Sequence, residues 1–298
     1  MDDPPVSVLI VNYNGAAHLP ACLTALERQS VSCGSFEVIV VDNASQDGSV
    51  ELVSSRFPWV QLVPLKSNTG FAEGNNVAAR HARGRTLVLL NNDTIPDPHW
   101  LAELLRAAAR SPSGMAASKL VFAHDPTLLN SAGLILLRDG RGADRGFRQP
   151  DDGRYERTEP VFAGCGAALA LPAPSPGQPV FDPRYFVYSE DLDLQWRVRL
   201  AGGSVLYAPR SLVRHVHGAA AGDQSPLFAF YNERNRALTA LRNADPVLAV
   251  WSAAVLFAKA GQAWVRRRKT APAVTRAAVS YLRLAPRMLA ERFAVRRR

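Results

Sequence analysis

Four short polar clusters each follow an apolar run, and each carries side chains suited to binding a phosphate, a ribose or a metal ion. Asn12-Tyr13-Asn14 follows residues 6–11. Asp42-Asn43-Ala44-Ser45 follows 36–41, Lys66-Ser67-Asn68-Thr69-Gly70 follows 59–65, and Asn91-Asn92-Asp93-Thr94 follows 86–90. Any one of them reads equally well as a turn, since Asn, Asp and Gly are ordinary turn residues. Four in succession at the ends of strand-like runs look like a nucleotide cradle, because open α/β sheets bind ligands outside the carboxyl ends of their strands. In such a cradle Asp42 could accept hydrogen bonds from a base N–H or ribose hydroxyls. Asp93 could hold Mg²⁺ or Mn²⁺ against a phosphate, as these ions take one or two protein carboxylates plus substrate oxygens. The spacing lacks G-x-G-x-x-G, which argues against a dinucleotide site.

Two further constellations lie downstream. Glu190 and Asp191, in Ser189-Glu190-Asp191-Leu192-Asp193, could supply a general base within reach of a hydroxyl. The alternative is an acidic first turn that merely favours the helix dipole. His215 and His217 offer imidazoles, which suit Mn²⁺ better than Mg²⁺. The alternative there is a pair of surface imidazoles after a strand.

These residues need elements to hold them. Strand-like runs at 6–11, 36–41, 59–65 and 86–90 alternate with helix-like segments at 18–29, 47–57, 71–82 and 98–110. That alternation predicts an α/β fold, a mostly parallel sheet with helices on both faces. Residues 139–160, rich in Gly, Arg and Asp, read as a mobile loop. Residues 161–171 read as a strand interrupted by Gly164 and Gly166. Residues 172–179 hold four prolines and can be neither helix nor central strand. Residues 189–203 alternate like a strand, yet Ser189 is a good N-cap, acids fill the first turn and Arg197 and Arg199 the last, so a helix is expected. Further helices are expected at 226–243, 246–268 and 272–298.

The chain has 298 residues, enough for one large α/β domain or two smaller ones, and its 47% hydrophobic content is that of a globular protein. Three cysteines, Cys22, Cys33 and Cys165, without a C-x-x-C pair, suggest a reduced setting rather than a disulfide framework or zinc cluster. The acidic Met1-Asp2-Asp3 start does not resemble a secretory signal. The net charge of +9 is concentrated at one end. Residues 263–298 carry eleven Lys and Arg against one acid, leaving −1 for everything before them. Such asymmetry points to an anionic surface met by the tail.

The motifs together resemble family 2 glycosyltransferases of the GT-A fold, and within them the rhamnosyltransferase-like branch. Val8-Leu9-Ile10-Val11-Asn12-Tyr13-Asn14, Val40-Val41-Asp42-Asn43-Ala44-Ser45, Asn68-Thr69-Gly70-Phe71-Ala72-Glu73-Gly74-Asn75-Asn76 and Leu90-Asn91-Asn92-Asp93 carry the resemblance, which runs from about residue 6 to 243. It implies that Asn12, Tyr13, Asn14, Asp42 and Asn43 bind the nucleotide-sugar donor, with Asp42 on a uracil or thymine base. It extends the same role to Asn68, Gly70, Asn75, Asn91, Asn92 and Asp93. Asp93 would be the metal carboxylate. Asn91 replaces the first Asp of the family's D-x-D element, implying a weaker, substrate-dependent metal site.

The resemblance also makes Asp191 the base, with Glu190 supporting it or touching the acceptor. It puts Gly164, Gly166 and Ala167 on the acceptor side. His215 or His217 would complete the metal site or bind the diphosphate. Arg234, in Tyr231-Asn232-Glu233-Arg234-Asn235-Arg236, would approach the diphosphate or acceptor, a solvated charged face being the alternative. The chain departs from the branch at Ala219-Ala220-Ala221, where a Ser is common, and at 172–179, where relatives have a short helix.

The expected activity is metal-dependent, inverting transfer of one sugar, from dTDP-rhamnose or a UDP-sugar, to a glycan or polyprenyl-linked acceptor in cell-surface polysaccharide synthesis. A nucleotidyltransferase would want Lys or Arg in a phosphate loop after the first strand, which Asn12-Tyr13-Asn14-Gly15 does not supply. A non-catalytic membrane-tethered glycan- or nucleotide-binding protein would not need the Glu190-Asp191 pair. The chain divides into a catalytic domain over 1–245 and a basic helical tail over 246–298. In the tail, Lys259 and Gln262 interrupt the 247–258 apolar run too soon for a membrane span. Leu282, Leu284, Leu289 and Phe293, interspersed with Arg283, Arg287 and Arg292, suggest an amphipathic helix lying on anionic lipid at the cytoplasmic face. No basic groove in the main domain suggests nucleic acid.

Overall fold

The computed structural model describes residues 5–31, 34–216 and 225–295. The first half alternates as β1 (Val6–Asn12), α1 (Leu19–Glu27), β2 (Phe36–Asp42), α2 (Ser49–Arg56), β3 (Gln61–Pro64), α3 (Gly70–His81) and β4 (Thr86–Leu90). Then come β5 (Thr94–Pro96), α4 (Trp100–Arg110), β6 (Met115–Phe122), β7 (Leu129–Ser131), β8 (Leu134–Leu136), β9 (Gly142–Asp144), β10 (Glu159–Val161) and β11 (Ala168–Pro172). The chain closes with α5 (Glu190–Leu200), β12 (Val205–His215), α6 (Pro226–Asn243), α7 (Pro246–Val265) and α8 (Ala271–Val295).

The main sheet runs β10-β12-β6-β11-β4-β1-β2-β3. The half formed by β4, β1, β2 and β3 is parallel, as the sequence pattern predicts. The other half is mixed, because β11 enters between β4 and β6 antiparallel to both. Strand order reverses at the β1–β4 junction, where open α/β sheets form a ligand crevice. Both faces of β1 and β4 are buried, hence their unbroken apolar runs. Val8, Ile10, Val88 and Leu90 pack with Leu23 of α1 and Trp100 and Leu104 of α4. Leu9, Leu87 and Leu89 face the opposite layer with Ala78 of α3, Leu238 of α6 and Ala277 of α8.

Three expectations for the middle of the chain are corrected. Residues 139–160 are not a loose loop. They contain β9 and lead into β10, and Lys119, 4% exposed on β6, pairs with Asp151 (2.6 Å) and Glu156. Arg145 stacks over Tyr155 (4.9 Å) and Tyr207 (5.2 Å) and binds Glu159 at 2.6 Å. Residues 161–171 are not one strand either. Gly164 lies outside the ladder, its amide and carbonyl paired with the Gln195 side chain (2.6 and 2.8 Å), and packs so close to Ala117 that an added Cβ would stand 2.2 Å from the Ala117 Cβ. The proline-rich stretch is corrected at its first residue: Pro172 is the last residue of the central strand β11, opposite Thr86 of β4, and the remaining prolines follow that strand.

The tail does not lie apart from the domain. Val274, Ala277, Ala278, Tyr281 and Met288 of α8 join the core, and Leu284 is partly buried against it. The apolar stripe expected over 282–293 therefore splits, leaving Leu282 and Leu289 exposed. Glu291 anchors α8 to Arg184 (2.7 Å) and Arg242, and Arg292 donates to Leu241 O at 2.7 Å. Arg242 also reaches Asp182 (3.0 Å) and Asp193 (3.1 Å).

Removing one partner of such a buried network strands charge in the core. We predict that Arg242→Met lowers stability by about 3–5 kcal/mol, measured by urea unfolding. A loss below about 1 kcal/mol would mean that Asp182 and Asp193 do not depend on Arg242. Burial opposes ionisation of Asp182, but hydrogen bonds and charge from Arg184 and Arg242 prevail and hold its carboxyl below the ordinary 3.8. Its contribution is thus present above 3.8 and lost as pH falls through its lower folded value.

Candidate active site

The strand ends at the β1–β4 junction are joined by a chain of side-chain amides. Asn92 Nδ2 donates to Asn12 Oδ1 (2.7 Å), and Asn12 Nδ2 donates to Asp42 Oδ2 (2.8 Å). Asp42 Oδ1 accepts from Ser45 N (2.9 Å), and Ser45 Oγ accepts from Asn14 N (2.8 Å). Gly15 is demanded by this chain, since a Cβ there would stand 2.1 Å from Asn92 Nδ2 and 2.3 Å from Asn12 Oδ1. Tyr13, at the rim, is 46% exposed. Asn43 ties the third cluster in, accepting from Thr69 N (2.8 Å) and donating to Gly70 O (3.0 Å). Asn68 Oδ1 accepts from Gly70 N at 2.9 Å. Asn75 stands apart: it is buried within α3 and donates to Phe71 O of its own helix (2.9 Å), so it is a structural amide rather than a donor contact.

Asp93 and His215 meet, with Nε2 3.2 Å from Asp93 Oδ1, both side chains about nine-tenths buried. Burial opposes ionisation of Asp93, but the His215 hydrogen bond and charge outweigh it and hold its carboxyl below the usual range. His215 Nδ1 lies 2.8 Å from Asn130 Oδ1, so the ring donates there and turns Nε2 toward Asp93. Two residues before Asp93, Asn91 Oδ1 is buried with no partner among the described residues. A carboxylate, an imidazole nitrogen and a bare amide oxygen suit Mg²⁺ or Mn²⁺. Among the described residues no three His, Cys, Asp or Glu side chains cluster closely enough to hold an ion by themselves, and His217 lies outside those residues. The remaining ligands would have to come from a substrate.

The acidic turn of α5 divides its three carboxylates. Asp193, 1% exposed, is neutralised by Arg242 (3.1 Å) and Arg197 (3.1 Å) and accepts from Asn243 (2.8 Å), which makes it an anchor. Glu190 is 5% exposed and its Oε2 has no partner among the described residues. Burial, then the charge of Asp191, pushes its carboxyl well above the usual range. Asp191 is also raised by burial, but its Oδ2 accepts from Gly166 N (2.9 Å) and its Oδ1 from Leu192 N (2.7 Å). Asp191 is therefore the group that carries the negative charge, and its raised proton affinity suits a general base.

The segment before α5 is strained. Phe186, Tyr188 and Ser189 have φ of 66°, 70° and 67°, costly for residues with a side chain. Ser189 sits at the N-cap position in that conformation and makes no side-chain capping bond. Asn235 of α6 holds the segment, donating to Tyr185 O (2.9 Å), Val187 O and Tyr188 O (both 2.8 Å). Arg234 is turned the same way. It is 6% exposed, donates to Arg184 O (2.6 Å) and Tyr185 O (3.1 Å), and lies over the Phe230 and Tyr231 rings. That engagement corrects its expected contact with a diphosphate. Gly164, Gly166 and Ala167 are all buried, and of the three Gly166 is the one whose amide reaches Asp191.

Sequence reasoning missed Asn130, Ser131, Asp144 and Asn235. Burial raises Asp144 to about 6, opposed by a Ser131 hydrogen bond, raised further by Asp191 and lowered by His215. Asp144 is thus near enough to Asp191 and to His215 for the charge of each to act on its carboxyl.

The family model for glycosyl transferase family 2 matches residues 7–168, more than half of the chain. The chain belongs to glycosyl transferase family 2. It is similar to the N-acetylglucosaminyl-diphospho-decaprenol L-rhamnosyltransferase of Mycobacterium tuberculosis, 29% identical over 231 residues, covering 70% of this chain and 75% of that protein. Solved structures share the GT-A fold. GalNAc-T7 with UDP, GalNAc and Mn²⁺ superposes with a TM-score of 0.62 at 16% identity, covering 81% of this chain and 48% of that one. S. aureus TarS 1-349 with UDP-GlcNAc superposes at 0.56 and 17% identity, covering 98% and 88%.

The Asn235 clamp can be tested. Asn235→Ala removes three hydrogen bonds from the strained segment that sets Asp191. We predict that it lowers the turnover of sugar transfer by about 10- to 100-fold, as for a misplacement of order 1 Å, while donor KM changes little. Unchanged turnover in a folded variant would show that the segment holds itself.

Proposed function

We propose that the protein is an inverting glycosyltransferase that moves rhamnose from dTDP-rhamnose, with UDP-sugars as the next candidates, to a polyprenyl-linked glycan acceptor in cell-surface polysaccharide synthesis. The observation that carries the reading is the division of labour on α5. Asp193 is paired with arginines, burial and the charge of Asp191 push the Glu190 carboxyl well above the usual range, and Asp191 is the one held by the amides of Gly166 and Leu192. The mycobacterial relative supports the choice of sugar and of lipid-linked acceptor.

Asp191 takes the proton of an acceptor hydroxyl as its oxygen forms a bond to the anomeric carbon and the bond to the nucleoside diphosphate breaks. A single displacement of this kind inverts the anomeric centre. Asp93 and His215, with Asn91 beside them, are the residues that would hold a divalent cation. A cation bound there supplies positive charge to the leaving diphosphate. Asn12, Asp42 and Asn92 order the strand ends against which the nucleotide would lie.

We predict nucleoside diphosphate release from dTDP-rhamnose in the presence of Mg²⁺ or Mn²⁺ and a short-chain GlcNAc-diphospho-prenol, abolished by EDTA. Asp93→Ala should lower the rate by orders of magnitude. Asp191→Asn should cut turnover by about 10²–10⁴-fold with donor KM nearly unchanged. The acid limb of the pH–rate profile should lie above 3.8, because burial raises Asp191. Full activity in EDTA sinks the metal site, and normal turnover of Asp191→Asn sinks the base.

The same reading places the enzyme at an anionic membrane surface, on a face that includes α7 as well as α8. Val247, Val250, Trp251, Phe257, Trp264 and Val265 of α7 are exposed, beside Val279, Leu282 and Leu289 of α8. The basic run Arg266-Arg267-Arg268-Lys269 joins the two helices and is exposed. By length and composition α7 could cross a membrane. Its other side favours a surface location, since Ser252 receives Arg236 (2.7 Å) and Lys259 pairs with Glu233 (2.6 Å) on α6. Tryptophan beside cationic side chains is the pattern of an interfacial helix. We predict co-sedimentation with phosphatidylglycerol vesicles at low salt, weakened by high salt, and lost in Trp251→Glu/Trp264→Glu without change in circular dichroism. Equal binding by that variant would refute the docking face.

A further inference from the structure

The acceptor side holds one carboxylate that the reaction above does not use. Asp144 ends β9, opposite Leu134 of β8. Leu134 N donates to Ala163 O at 2.7 Å, which stitches the hairpin to the segment whose Gly166 amide holds Asp191. The hairpin turn is fixed as well. Arg236, 1% exposed inside α6, donates to Asp139 O (2.8 Å), and a Cβ at Gly140 would stand 3.1 Å from Ala240 Cβ and 3.2 Å from Ser252 Oγ. A hairpin held at both ends keeps Asp144 in place.

Its surroundings are those of a binding group. Ser131 hydrogen-bonds the carboxylate, but Oδ1 is buried and has no partner among the described residues. Buried acceptors are satisfied in native proteins with few exceptions, and an exception calls for a missing donor. Asp144 is near enough to both Asp191 and His215 for their charges to act on it, and Cys165 senses Asp144, Asp191 and Glu190 together. A bare, fixed carboxylate oxygen beside a general base matches a polyol, whose reacting hydroxyl has hydroxyl neighbours.

We propose that Asp144 is an acceptor-binding residue, its Oδ1 accepting a hydrogen bond from the acceptor-sugar hydroxyl next to the one that Asp191 deprotonates. The assignment rests on the glycosyl-transfer reading above. Asp144 takes no proton in the step. It fixes the sugar's rotation and so decides which hydroxyl faces Asp191. A site built to hydrogen-bond a substrate hydroxyl discriminates strongly against an analogue that lacks it.

The test uses the full chain with dTDP-rhamnose, a short-chain GlcNAc-diphospho-prenol, and deoxy analogues of that acceptor lacking one hydroxyl at a time. Asp144→Asn keeps the shape, and Asp144→Ser provides a second variant should the first not fold. We expect acceptor KM to rise about 10- to 100-fold, the loss of one hydrogen bond to a charged group. Donor KM should change far less than acceptor KM. One deoxy analogue should be poor for the wild type yet no worse than the intact acceptor for the variant. An unchanged acceptor KM, or a variant that loses equally on every analogue, overturns the role of Asp144 and leaves the transfer reading standing. No wild-type transfer to the intact acceptor removes the transfer reading, and the assignment with it.

Discussion

Burying three carboxylates in one helical turn is the constraint around which this enzyme is organised. Glu190, Asp191 and Asp193 begin α5 within four residues; Glu190 and Asp193 are nearly removed from water and Asp191 is partly buried between them. Three like charges cannot coexist there, so the fold treats each differently. Asp193 receives the Arg242 guanidinium, which in turn draws Asp182 and Glu291 into the network. Glu190 receives no cation, its Oε2 has no partner among the described residues, and burial with the charge of Asp191 pushes its carboxyl well above the usual range. Asp191 receives two backbone N–H groups, which stabilise an anion without cancelling its basicity. A guanidinium in place of those amides would have made Asp191 a second anchor.

That arrangement explains why α6 and α8 belong to the catalytic unit. Arg242 and Asn235 lie on α6, one neutralising the turn and the other gripping the strained backbone that leads into it. Glu291 of α8 closes the charge network from behind. The donor side is linked by packing. Gly70, with φ of 81°, brings the start of α3 against Phe186, and a Cβ there would stand 2.5 Å from Phe186 O. Ala72 N donates to that same oxygen at 3.0 Å. The turn that follows β3 and the strained approach to Asp191 are thus in direct contact.

Much of this was legible in the sequence, for physical reasons that differ between the halves. Strands buried on both faces leave unbroken apolar runs, so β1, β2 and β4 and the polar clusters after them could be read directly. The helix at 190–200 was legible through its charge pattern although its apolar residues alternate like a strand. The second half of the sheet was obscure because β6 carries Ser118 and Lys119 among apolar residues, and Lys119 is buried only by virtue of Asp151 and Glu156 more than thirty residues away. Arg234 misled for a related reason. A buried arginine satisfied by backbone carbonyls has the same sequence appearance as one aimed at a phosphate. Asn130 and Asp144 left no local mark, since each gains its role from a partner on a distant strand.

The hairpin of β8 and β9 brings these threads together. Its turn rests on α6 and α7 through Arg236 and Gly140, directly behind the helix that carries exposed Trp251 and Trp264. Its other end carries Asp144, whose carboxyl feels the charge of Asp191. A lipid-linked acceptor has one end fixed in the bilayer and the other free to rotate. An enzyme acting on it must fix the distance from membrane to base and then the orientation of the sugar. If α7 and α8 meet the membrane and Asp144 the acceptor, as proposed, a rigid hairpin that starts on α6 and α7 and ends at Asp144 meets both requirements with one element. The burial of Arg236 at its turn is then understandable, because any looseness there would carry through to the sugar hydroxyl presented to Asp191.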